Sequence, residues 1–129
     1  MLIGQVTADK EAVLPIELLG SQGQILQVEA GIDTGFNGYL TLPRTVIQEL
    51  DLVFIGQARA ALGDGNEVSM DLFLVAIQWE EVRRDVHVLE AEGGTLVGMA
   101  LLDGHRVVMD VEEGGTVSIE SLGRIRDVH

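Results

Sequence analysis

The sequence predicts an all-β domain carrying one or two short helices. Three observations point there: apolar residues alternate with polar ones along short segments, clusters of Gly, Asp and Asn separate those segments, and helical spacing of apolar residues is confined to two brief stretches. A chain of 129 residues is the size of one domain, taken here as 1–129, and is long enough to bury a core without covalent staples. Sixteen glycines against two prolines fit many tight turns.

Taken in order, Leu14, Ile16 and Leu18 share one face of a first strand, with Pro15 and Glu17 on the other; Pro15 marks an edge or irregular position. Gly20-Ser21-Gln22-Gly23 reads as a hairpin loop. The clearest period-two strand follows, with Leu26, Val28, Ala30 and Ile32 facing one way and Gln27, Glu29, Gly31 and Asp33 the other, so that Asp33 stands at the end of a half-buried strand. A short strand spans Tyr39 to Leu42. Pro43 then occupies the first position of a helix of about two turns, its apolar face made by Val46, Ile47 and Leu50.

Strand pattern returns from Gln57 to Leu62 and from Glu67 to Trp79, joined by the hairpin turn Gly63-Asp64-Gly65-Asn66. Glu80-Glu81 separates the second of these from a strand over Val82 to Leu89. Leu96 to Leu102 is compact and apolar around Gly98, with a helical turn ending by Gly104. The last hairpin pairs Arg106–Val111 with Thr116–Glu120 across the turn 112–115.

Composition removes several function classes. Without cysteine there is no disulfide framework, no Cys-ligated zinc and no cysteine nucleophile. A net charge of −13 repels nucleic acid and anionic membrane surfaces, and Arg83-Arg84 with Arg124 and Arg126 are too few for a phosphate-binding stripe. The longest strongly apolar run, Leu72 to Ile77, is far too short to span a bilayer. The first residues, Met1 to Val6, have neither the basic start nor the apolar stretch of a secretory signal, so the expectation is a soluble cytoplasmic protein. His87, His105 and His129 lie far apart and lack partners at metal-ligand spacing. An acidic loop beginning at Asp64 fails as a calcium loop, because Ser69 and Val75 stand where a glycine and a bidentate carboxylate are needed.

The stretch that remains is Asp33-Thr34-Gly35, within Val28 to Leu40. It resembles the catalytic segment of retropepsin-like aspartic proteases, in which a hydrophobic strand runs into D-T-G and is followed by a short strand and a turn. Two later features keep that family's order: Gly63-Asp64-Gly65-Asn66 in the place of the flap tip, and Leu96-Val97-Gly98 followed by Met99-Ala100-Leu101-Leu102 in the place of the hydrophobic-hydrophobic-Gly motif and its helix. With these the resemblance covers about residues 10 to 120.

What the resemblance implies is a closed, barrel-like acid protease fold and an aspartic endopeptidase. Peptide hydrolysis of this kind needs two carboxylates that share a proton, one ionised to activate water and one protonated to polarise the scissile carbonyl. A chain with a single D-T-G of this kind supplies one, so the resemblance implies a homodimer with Asp33 from each subunit. It further implies that Thr34 bonds across the dimer axis, that Gly35 lets the chain turn close to the carboxylate, and that Gly63, Asp64, Gly65 and Asn37 meet a peptide or protein substrate. No metal or organic cofactor is implied, and neither nucleic acid nor membrane is an expected partner.

Retroviral members pair an acidic residue, two positions after the D-T-G glycine, with an Arg following the later Gly. Here those positions are Asn37 and Met99, which cannot form an ion pair, so an apolar brace is expected instead. The alternative reading from another class is a non-catalytic module that keeps the fold for dimerisation or peptide binding. A third is a resting form whose flap or termini block the groove.

Overall fold

A computed structural model describes residues 1–61 and 64–123, the side chains of 60 and 61 excepted. Among the described residues are ten strands and two short helices: β1 (Leu2–Val6), β2 (Ala12–Leu19), β3 (Ile25–Ile32), β4 (Leu40–Leu42), α1 (Arg44–Glu49), β5 (Val53–Ala61), β6 (Glu67–Trp79), β7 (Val82–Glu90), β8 (Leu96–Val97), α2 (Met99–Leu102), β9 (His105–Met109) and β10 (Thr116–Ser121). The all-β expectation holds.

The strands join in the order β5-β6-β7-β4-β8-β3-β2-β1-β10-β9, and β2 pairs a second time with β6. That second pairing, Glu17↔Gln78 to Leu19↔Ala76, bends the sheet into a ring of β6, β7, β4, β8, β3 and β2. The closure is short, so the barrel is uneven. Its interior holds Leu14, Ile16 and Leu18 of β2, Leu40 and Leu42 of β4, Val75 and Ile77 of β6, Val86 and Val88 of β7 and Val97 of β8. Ile47 of α1 and Leu101 and Leu102 of α2 complete the same cluster. Each large aliphatic side chain buried there contributes about 2 kcal/mol of transfer free energy, so the period-two pattern of the sequence is what closes the ring.

Several local expectations shift by a few residues for identifiable reasons. Pro15 pairs with Glu29 of β3, and its other flank lies between the stretch of β2 bordered by β1 and the stretch bordered by β6, where a strand tolerates a missing N–H. Pro43 caps α1 rather than starting it, with ψ 158° in the extended region. β5 begins at Val53, before the expected Gln57, because a register shift between Phe54 and Gly56 breaks the alternation there. β1 was not foreseen as a strand. It lies between β10 and β2, and Gly4 allows the approach: a Cβ there would fall on the carbonyl oxygen of Val13.

The feature that positions the site is the placement of β8. It runs parallel to β3 (Gly31↔Leu96, Ile32↔Val97) and antiparallel to β4 (Leu40↔Val97, Thr41↔Leu96). Two strands consecutive in the chain, β3 and β4, are thus separated by a strand that arrives some sixty residues later, and the link between them must pass over the end of β8.

Candidate active site

That link is the segment from Asp33 to Tyr39. Its start is fixed where β3 runs out, by the Asp33 N–H donating to Val97 O at 2.9 Å. The Asp33 carboxylate then folds back on its own turn, Oδ1 accepting the Gly35 N–H at 2.9 Å, while Phe36 N–H donates to Asp33 O at 3.2 Å. Such an Asx-type turn is what a short carboxylate followed by a small residue favours. Asp33 is half-buried; Thr34 and Gly35 are exposed, and the Thr34 hydroxyl makes no hydrogen bond among the described residues.

The far side of the link is held from below by the Gly98 segment. Gly98 N–H donates to Tyr39 O (3.0 Å), Met99 N–H to Phe36 O (2.8 Å) and Ala100 N–H to Gly38 O (3.1 Å). The first N–H groups of a helix have no partner within it, and here α2 spends them on the loop. Only a glycine at 98 permits this contact, since a Cβ would lie on the Gly38 carbonyl oxygen, 2.5 Å from Phe36 Cδ2 and 2.8 Å from Phe36 O. Of the apolar brace expected from Met99, Leu101 and Leu102, the two leucines are buried in the core, whereas Met99 is 45% exposed and links to the loop through its backbone N–H.

Asp33 lines a cleft of about 510 Å³, a volume typical of a ligand site. Its walls come from the β2 entry (Lys10, Glu11, Ala12, Val13), from β3 (Glu29, Gly31, Ile32) and from the loop before β8 (Gly93, Gly94, Thr95, Leu96). Of the described residues foreseen for the site, Asp33 alone lines this cleft. Asn37 is exposed on the loop away from it. Asp64 and Gly65 are exposed at the hairpin tip and do not reach it; Gly63 lies outside the described residues. Asp64 is engaged within its own turn, Oδ1 accepting Asn66 N–H and Oδ2 accepting Asn66 Nδ2–H, both at 3.0 Å. Those two bonds hold its carboxyl below the usual carboxylate range.

The cleft residues that sequence reading passed over had no signal of their own. Glu11 and Glu29 look like solvated strand positions, and Gly93-Gly94 looks like an ordinary turn. Among the described residues no three His, Asp or Glu side chains converge in the way a metal ion requires, and no helix is long and apolar enough to cross a membrane.

No family model and no curated protein matches the sequence. Among solved structures, the chain is similar to a retropepsin-like aspartic protease from Rickettsia conorii, with a TM-score of 0.53 and 13% identity over 95% of this chain and 92% of that one. With the six-strand ring, the inserted β8 and the two short helices already in view, the fold of this chain is retropepsin-like.

Proposed function

We propose that the chain is an aspartic endopeptidase acting as a homodimer, each subunit giving Asp33 to a shared dyad. The observation that carries this reading is Asp33-Thr34-Gly35 placed at the exit of β3, over the inserted β8, with Asp33 at the edge of a cleft of about 510 Å³. In such a dyad mutual repulsion keeps one proton between two carboxyls. The ionised one takes a proton from water as that water attacks the scissile carbonyl carbon. The protonated one donates to the carbonyl oxygen and so stabilises the developing tetrahedral species. Collapse with proton transfer to the amine nitrogen releases the two product peptides.

The local geometry supports the role of each residue. The Gly35 N–H fixes the inner carboxylate oxygen and leaves the other for water or a partner acid. Thr34 presents an exposed hydroxyl, which an interchain hydrogen bond between two such loops needs. The main-chain brace from Gly98, Met99 and Ala100 does the holding that an ion pair does in retroviral members, so Asn37 and Met99 give less ground for the binding-module reading. A soluble cytoplasmic location belongs to this proposal.

The test is cleavage of a peptide mixture by wild type and by Asp33→Asn, with the oligomeric state followed by sedimentation. Loss of at least about a thousandfold in kcat/KM for D33N, with a dimer in solution, is the expected result. Equal cleavage by D33N, or activity from a strict monomer, would overturn it. Saturable peptide binding with no cleavage products would favour the binding module.

A further inference from the structure

Among the described residues only one buried side chain is polar: Thr41, 5% exposed, in the middle of β4. Leu40 and Leu42 point into the core, so Thr41 faces the other side of the strand, where solvent would be expected. Instead the loop before β8 covers it. The Thr41 hydroxyl accepts the Leu96 N–H at 2.9 Å and donates to Gly94 O at 3.1 Å. This loop is tied at its ends by Ala91 N–H to Leu42 O and by Gly31 N–H to Thr95 O. Between them, Gly93 and Gly94 stand in open space, a Cβ on either meeting no atom within 4 Å. Gly93, Gly94, Thr95 and Leu96 form one wall of the Asp33 cleft.

We infer that Thr41 is a positioning residue for substrate selection: its hydroxyl holds the Gly93–Leu96 wall in place and thereby sets which substrate residues the Asp33 cleft accepts. The inference rests on the protease reading above. A hydroxyl is the group suited to this task, since it takes one N–H and gives one O–H from a single atom. An isosteric valine would leave Leu96 N–H and Gly94 O without their partners in a half-buried place, an unfavourable state that the loop relieves by moving toward water. Asp33 itself is tied through Val97 and Gly35, not through Thr41, so the wall moves and the reacting carboxylate stays.

The test compares wild type, Thr41→Val and Thr41→Ser by amide hydrogen exchange and by kinetics on a mixture-based octapeptide library. In T41V the Leu96 amide should exchange about tenfold faster relative to the β2 and β3 amides. KM should rise about tenfold with kcat within about twofold, and the preferred residue at one substrate position should broaden. T41S keeps the hydroxyl and should match wild type in all three. Unchanged Leu96 exchange in T41V, or equal losses of kcat in T41V and T41S, would overturn the inference, because those outcomes describe a Thr that merely fills space.

If T41V does not fold, wild type and T41S decide: a wild-type Leu96 amide that exchanges as fast as that of Gly93, or a T41S enzyme with altered selectivity, sinks the idea. If wild type cleaves nothing, the protease reading fails by itself. Leu96 exchange, with binding affinities of the same peptides in place of KM, still reads the clamp.

Discussion

The Asp33 loop and the far end of the β5–β6 hairpin are both exposed turns rich in Gly, Asp and Asn, yet they are held in opposite ways. The Asp33 loop donates one main-chain hydrogen bond to Val97 O and accepts others from the N–H groups of Gly98, Met99 and Ala100, and the next residue, Leu101, is fully buried. The described part of the hairpin has no such floor. Among its described residues from 56 to 69 none is buried, and the side-chain ties across it are Gln57 to Asp71 at 3.2 Å and Arg59 to Glu67 at 3.5 Å, the latter 81% and 62% exposed. Exposed pairs of that kind contribute about 0 to 1 kcal/mol each. One turn therefore inherits the stability of the whole fold, and the other opens locally at little cost. That division fits the proposed protease, in which a reacting carboxylate must stay in place while a flap admits and releases chain.

The strongest way to break this comparison is Gly98→Ala. Because the obstacle to a Cβ is the backbone of Gly38 and Phe36, it has no rotamer to escape into, and the expected cost is about 3 kcal/mol of global stability. Urea unfolding of G98A would measure it; a change under about 1 kcal/mol would mean the brace is not what carries the loop. A milder test lies at the other turn. Gly65 has φ of 88° with open space around it, so Gly65→Ala should cost only the left-handed backbone strain, about 1 kcal/mol. Faster amide exchange confined to the hairpin, with the urea midpoint nearly unmoved, is the expected signature; a global loss equal to that of G98A would erase the distinction.

The smallest effect is one of pH. The Asp64 carboxyl is depressed by its bonds to the Asn66 main chain and side chain, so its contribution is complete above the ordinary carboxylate pKa and disappears as pH falls through the lowered folded value. The Asn66 amide should thus lose protection only at pH below the usual Asp range, measurable by NMR, while the Met99 and Ala100 amides, bonded to main-chain carbonyls, stay protected until the fold itself is lost.

Much of this was legible from residue order. The period-two runs in β2, β3 and β6, the turn around Asp64 and the helical spacing after Pro43 are local signals, because alternation and turn preference act over a few residues. Asp33 at the end of β3 was legible for the same reason. Misreadings arose where a local pattern is interrupted or short: the bulge between Phe54 and Gly56 hid the start of β5, and five residues with Gly at the centre hid β1.

By itself, then, the sequence determined most of the strand segments, the core-facing residues of the clearly alternating ones and where the one conspicuous Asp-Thr-Gly falls, since each of these depends on neighbours in the chain. Only the tertiary structure decided that β8 lies between β3 and β4, that the backbone of α2 braces the Asp33 loop, and that Thr41 reaches Gly94, 53 residues away, to hold a cleft wall. Apart from the Thr41 hydroxyl, those arrangements rest on main-chain N–H and C=O groups and on the close approach Gly98 permits, so no side-chain pattern announces them before the barrel closes.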